Sequence, residues 1–219
     1  MDFAGAFQWI NIRFLLDGLL LTLQVAVISV VLSVIFGVLL GVLRYWKIPV
    51  FSKVLGWIID IIRNLPLLLI IFFTYFALPQ MGIHLNIFWA AVTALTVFES
   101  AMISEIIRGG LESIPAGQAE AGLATGMTNM QIMRYIMMPQ VFRDTLPSIV
   151  SQLIALIKDT SLATIITLPE LTHHAKIIYS LNTEYVVPMF IALAVLYFIV
   201  CYALSLFSKQ LARRMAVNK

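Results

Sequence analysis

Few side chains in this 219-residue sequence could do chemistry, and most of them stand alone inside long apolar runs. Ser148, Ser151, Gln152, Ala155 and Asp159 recur at spacings of three, four and seven, which puts them on one face of a helix. Such a stripe either binds a polar solute through hydrogen bonds and charge, or bonds neighbouring helices. Lys158 and Asp159 are adjacent, so they point to different sides and each needs another partner. Glu99 is a candidate ion-pair partner for Lys158. Arg63, Asn64, Leu65 and Pro66 mark a helix break, because Pro66 donates no backbone bond and frees a carbonyl upstream. Arg63 has three readings there: attracting a solute carboxylate, pairing with Asp60 three residues earlier, or reaching the headgroup region. Glu105 and Arg108, three apart, read as a local pair. Glu170, His173 and His174 offer metal-ligand types, but they fall in a connecting segment and read as solvated loop residues. The sequence holds no convergent nucleophile, base and orienting group. No glycine is followed by lysine, as a phosphate loop G-x-x-x-x-G-K-[ST] requires. No catalytic residue, metal site or cofactor is therefore expected in this chain.

Composition decides what must position these groups. The chain is 61% hydrophobic and 11% charged, with a mean hydropathy of +0.98. Soluble domains average roughly 45–50% apolar and about 25% charged residues. A soluble fold, a disordered chain and a nucleic-acid-binding chain are all excluded. The remaining class is an all-α integral membrane protein, read as one transmembrane domain over residues 1–219. Five spans are expected at 18–43, 54–78, 87–108, 145–166 and 185–208, each near the ~20 residues that cross a bilayer. Asp60 and Arg63 would sit in the first turns of the second. At roughly 1.5 Å per residue, Asp159 lies about 24 Å along the fourth span from Arg143, in the outer part of the membrane. Glu99 would lie about 18 Å in from the outside on the third.

Lysine and arginine orient the spans. Arg44, Lys47 and Lys53 follow the first span; Arg108, Arg134 and Arg143 lie between the third and fourth; Lys209, Arg213, Arg214 and Lys219 end the chain. The opposite loops carry only Arg13 and Lys176. The N-terminus is therefore expected outside and the C-terminus in the cytoplasm of a multi-pass cell-membrane protein. The N-terminus lacks the basic region and cleavage site of a secretory signal, so the apolar segments should remain in the mature chain. Cys201 sits alone in an apolar run and reads as a small core hydrophobe.

The cytoplasmic stretch 109–144 has its own punctuation. Pro115 suits a helix start and Gly126 a helix end after Thr125, which predicts a short helix over 115–125. Thr128 and Gln131 form a capping box for a second helix, expected to stop at Met138 because Pro139 follows. Two short helices joined by a tight turn are too small for an enzyme domain but large enough to dock on another protein.

Glu120-Ala121-Gly122, then Gly126, then Ile136, Met138 and Pro139 resemble the EAA motif of ABC importer permeases. That motif reads E-A-A, a glycine four positions on, then I-x-L-P; Gly122 and Met138 depart from it. The likeness extends to Leu16–Leu23, to Arg63-Asn64-Leu65-Pro66-Leu67-Leu68, to Phe98-Glu99-Ser100-Ala101, to Ser104–Arg108 and to Lys158–Leu162. The whole chain is similar to permeases of polar amino-acid importers, especially those of Gram-positive glutamine importers. The resemblance implies a type I (MetI-like) permease fold with a five-helix core and a cytoplasmic coupling helix that docks on an ATPase. It implies an ATPase dimer that holds the ATP and magnesium, a second permease chain (the same or a homologue), and an external solute-binding protein. The substrate would be glutamine, with glutamate, aspartate and asparagine as alternatives. Gln152, Asp159, Ser148, Ser151, Glu99, Arg63 and Asn64 are then the cavity candidates, and Glu120, Ala121, Gly122, Gly126, Ile136, Met138 and Pro139 the coupling candidates. An ion-coupled carrier using Glu99 and Asp159 as a proton relay is the rival, but the internal repeats usual in such folds are not found.

Overall fold

A computed structural model describes residues 1–216; Lys219 lies outside the described residues, as do the side chains of Arg213 and Arg214. The elements are helices: α1 (Phe3–Ala6), α2 (Trp9–Tyr45), α3 (Phe51–Asn64), α4 (Leu67–Phe72), α5 (Ile87–Glu112), α6 (Ala116–Ala124), α7 (Asn129–Ile132), α8 (Met138–Asp159), α9 (Leu171–Leu181) and α10 (Val186–Ala216). Among the described residues four helical stretches are long and apolar enough to cross a membrane: Trp9–Tyr45, Ile87–Glu112, Asn129–Ile166 and Thr183–Gln210. The last is bordered by the short 3-10 turn Thr183–Tyr185 that leads into α10.

The expected second span at 54–78 is a bent pair, Phe51–Asn64 and Leu67–Met81, with 104° between the two pieces. The cause is local. Pro66 pushes Leu65 into an extended conformation (φ −88°, ψ 143°), and Pro66 itself is extended (φ −59°, ψ 132°), so the helical ladder cannot continue. Asp60 and Arg63 therefore belong to a separate helix, α3. Beyond α4 the chain widens through a π turn at Phe73–Ala77 and then tightens through a 3-10 turn at Leu78–Met81, ending at Gly82 with φ +86°.

The fourth span also begins earlier than 145–166. Pro139 does not stop the second cytoplasmic helix. A π turn at Met133–Met137 leads into Met138, and Pro139 occupies the first turn of α8, where its missing N–H is harmless. The fourth membrane helix is thus continuous with the cytoplasmic element, and a 3-10 turn, Thr160–Ile166, follows Asp159.

The centre of the bundle is the contact of α2 with α5. Ser29, Ser33, Gly37 and Gly41 recur every fourth residue on α2 and are buried. A Cβ at Gly37 would come within 2.7 Å of Ile103 Cβ, and one at Gly41 within 2.7 Å of the Ser104 carbonyl. Small residues let the two backbones close, and van der Waals packing holds them, since lipid gives helices no hydrophobic reason to associate. On the cytoplasmic side, Ile103, Ile107 and Leu111 of α5 pack against Ile132, Met133, Met137 and Val141. That cluster fastens the short helices α6 and α7 to the membrane core.

Candidate functional site

Three groups of polar residues stand out at three depths. The deepest is on α5 and α8. Glu99 is fully buried, and Gln152 Nε2 donates to its Oε1 at 3.3 Å. Glu99 Oε2 is buried without a partner, as are the hydroxyls of Ser29, Thr96 and Ser100. Asp159 is within electrostatic reach of Glu99. Lys158 does not pair with Glu99: its side chain is exposed, and no ion pair among the described residues holds it. Adjacent helix positions diverge, so turning Asp159 towards the bundle turns Lys158 away from it. Ser148 and Ser151 are exposed, and Ser151 only back-bonds to the Pro147 carbonyl at 2.9 Å. The stripe therefore divides. Gln152 and Asp159 turn towards α5, whereas Ser148, Ser151 and Lys158 face outward from the chain at membrane depth. The outward faces of the other spans differ: α2 presents Leu20, Val27, Val31, Ile35 and Leu39, and α10 presents Phe190, Val195, Phe198, Ile199 and Phe207.

The second group lies less than two turns further towards the cytoplasm. Glu105 accepts from Arg44 Nη1 at 2.8 Å and is bonded by Arg108; Arg63 Nη1 stands 3.8 Å away. Asp60 lies 3.6 Å from Arg44 and 3.7 Å from Arg63, and Arg108 reaches Glu112 at 2.6 Å. The expected local pair Glu105–Arg108 is thus one edge of a six-residue network joining α2, α3 and α5. Arg63 and Asn64, placed among the cavity candidates, are found here. Arg63 belongs to the network, and the exposed Asn64 donates its Nδ2 to the Asp60 carbonyl at 2.7 Å.

The third group is the cytoplasmic element. Pro115 is extended, α6 follows, and Gly126 turns the chain with φ +84°. The Thr128–Gln131 capping box is present on both sides. Gln140 Nε2 donates to Gln118 Oε1 at 2.6 Å and to the Ile136 carbonyl at 2.7 Å, tying α6 to the foot of α8. Glu120 and Ala121 are exposed, while Gly122 is buried. A Cβ at Gly122 would come within 2.8 Å of Ile132 Cγ1, so glycine is what this packing accepts at the motif's second alanine. Ile136 and Met138 are half-buried and Pro139 is exposed.

The external residues are not a solvated loop. Glu170 is fully buried and caps α9, and His174 is buried with its ring stacked on Phe14 at 3.8 Å. The Glu170 side chain finds its donors in the first turn of α9, a helix the sequence reading did not assign. The four-residue repeat of small side chains on α2 was legible but not read; the long-range edges of the arginine–carboxylate network had no local signal.

Residues 33–217 match the family described as "Binding-protein-dependent transport system inner membrane component". The chain belongs to this family. Relatives include a "Probable glutamine ABC transporter permease protein GlnP" of Bacillus subtilis (strain 168), 54% identical over 216 residues, covering 98% of this chain and 99% of that one. A "Glutamine transport system permease protein GlnP" of Escherichia coli (strain K12) is 35% identical over 219 residues, covering 99% and 100%. Among solved structures, "Crystal structure of an amino acid ABC transporter with histidines" superposes with a TM-score of 0.88 at 30% identity, covering 98% of this chain and 99% of that one. A methionine ABC transporter, MetNI, in inward-facing form superposes at 0.82 with 22% identity over 95% of this chain and 99% of that one, a likeness of fold. The permease is a multi-pass inner-membrane transport component, and permeases of this kind work with an ATPase and a binding protein.

Proposed function

We propose that this permease forms the translocation path of an ATP-driven importer of glutamine. The observation that carries the reading is the polar face of α8. Ser148, Ser151 and Lys158 are exposed at membrane depth where α2 and α10 expose hydrocarbon side chains. Charge facing lipid is costly, so this face turns to protein or water. A second permease chain, the same or a homologue, would close a water-filled cavity over it, with lipid around the apolar faces of α2 and α10. Gln152 and Asp159 line the inner wall of that cavity, and the buried Glu99 stands behind Gln152, hydrogen-bonded to it. Carboxylates there attract the ammonium group of an amino acid, and the Gln152 amide both donates and accepts, which suits a side-chain amide. Both relatives named above are permeases named for glutamine, which supports that substrate over glutamate, aspartate or asparagine.

In this reading ATP and magnesium are held by the partner ATPase pair, and a solute-binding protein delivers glutamine from outside. Closure of the ATPase pair pushes on α6. Because α7 and the π turn run unbroken into α8, that push is delivered to the helix carrying Gln152 and Asp159. The test is ATP-driven uptake of labelled glutamine in proteoliposomes holding this chain, its ATPase and its binding protein. Excess unlabelled glutamate, arginine and histidine are the competitors. ATP-dependent uptake that resists arginine and histidine supports the reading. Uptake that persists without ATP and collapses with an uncoupler overturns it in favour of ion coupling.

A further inference from the structure

The outer end of the permease holds a buried carboxyl that the transport reading does not use. Glu170 Oε1 accepts from the His173 N–H at 2.7 Å, and Oε2 accepts from the Thr172 N–H at 2.8 Å and from the Tyr197 hydroxyl at 3.1 Å. Tyr197, on α10, lies 3.2 Å from Thr172 Oγ1 and stands beside Thr160, the residue next to Asp159, whose own hydroxyl donates to the Ile157 carbonyl at 2.7 Å. The other side of α9 is held by α2. The Leu171 N–H donates to Thr22 Oγ1 at 3.1 Å, and His174 Nδ1 lies 2.6 Å from the Phe14 carbonyl. A Cβ at Gly18 would come within 2.9 Å of the His174 ring. One carboxyl thus joins the first turn of α9 to α10 and, through a single tyrosine, to the turn that follows Asp159.

We propose that Glu170 is a positioning residue for the substrate cavity: by capping α9 and binding Tyr197, it fixes Thr160 and with it the orientation of Asp159. This rests on the assignment of Asp159 to the cavity. The ionised carboxyl suits the clamp best, because three donors converge on two oxygens with nothing to donate in return. Protonation places a hydrogen on one of those oxygens and removes an acceptor site from the cluster. The groups that bond it are Thr172 and His173 on its own helix and Tyr197 on α10; His174 and Lys176 act on His173, Thr164 contacts His173, and Thr22 on α2 holds the neighbouring Leu171. No cation forms an ion pair with Glu170 among the described residues. Burial pushes its carboxyl up to about 7 against the pull of those hydrogen bonds, and burial also lowers His173.

The experiment measures the KM and Vmax of glutamine uptake from pH 6 to pH 8 in the assembled transporter, with copurification of the ATPase as the check on assembly. Glu170→Gln keeps the shape but replaces an acceptor with a donor. It is expected to raise KM about tenfold at pH 8, to change Vmax less, and to flatten a wild-type KM that rises as pH falls through 7. Tyr197→Phe, which leaves the cap intact, is expected to raise KM in the same direction. Wild-type KM and pH profile in Glu170→Gln overturn the proposal. If that variant does not assemble, an unchanged KM in Tyr197→Phe overturns it instead. Asp159→Asn is run in parallel. A raised KM there with none in the Glu170 and Tyr197 variants sinks the positioning role alone, whereas an unchanged KM removes Asp159 from the cavity and both readings with it.

Discussion

Glu99 and Glu105 stand on the same helix, less than two turns apart, and meet opposite surroundings. Glu105 is held by Arg108 and Arg44, with Arg63 close by, at the cytoplasmic edge. Glu99 is deeper, has one amide donor from Gln152, and keeps an oxygen with no partner. A charge that holds a structure together is compensated by the structure. A carboxyl left half-satisfied at membrane depth is what a site awaiting a ligand looks like, because a buried polar group without a partner costs about 1–3 kcal/mol. Glu170 is a third case: buried as fully as Glu99, yet with two backbone N–H groups and a tyrosine hydroxyl supplied by its own fold.

The contrast is broken most directly at Glu99. Glu99→Leu is expected to lower glutamine uptake by about tenfold to a hundredfold, the worth of a charge-assisted contact, while thermal stability in detergent is kept or improved. A loss of stability would make Glu99 a second Glu105. Glu105→Leu should show the reverse balance. The protein is expected to lose about 2 kcal/mol of stability, discounted from the fully buried range because the Glu105 side chain is 22% exposed. Unfolding curves at low and high salt measure it, and a wild-type midpoint would dissolve the network as a structural device.

Glu170 sharpens the comparison through pH. The folded state keeps its proton up to about pH 7, whereas the unfolded chain releases it near 4.5. Between those values the folded state binds more protons, so stability falls as pH rises and levels off above 7. The total is about 3 kcal/mol, and Glu170→Gln should remove that slope while the rest of the profile persists. The smallest effect is expected from Gln152→Leu. It removes the one donor of Glu99 and should cost about 1 kcal/mol in stability with a several-fold loss of uptake. Uptake with unchanged rate and substrate preference would separate Gln152 from the substrate.

Much of this was legible in the chain. The uncharged runs announced spans because apolar length is what a bilayer selects, and the basic loops oriented them. Pro115, Gly126 and the Thr128–Gln131 box marked the cytoplasmic helices because capping acts between near neighbours. The helix break read at Pro66 is present, as a turn of 104°. Pro139 was read as a stop, although a π turn leads the helix past it. A proline declares that one backbone bond is missing; whether the chain bends, ends or adjusts its register depends on what packs around it. Glu170 and His174 read as solvated because their neighbourhood in sequence is polar, while their neighbours in space are Tyr197 and Phe14.

The sequence by itself determined that this chain lives in a membrane and where its short helices between the third and fourth spans start and turn, because apolar length and helix caps are local properties. Only the tertiary structure decided which polar side chains meet. Arg44 reaches Glu105, Gln152 reaches Glu99 and Tyr197 reaches Glu170 across separations of 27 to 61 residues, brought together where α2, α5, α8 and α10 pack. The energies that select those partners are the desolvation and hydrogen bonding of buried groups, and they exist only once the helices are side by side.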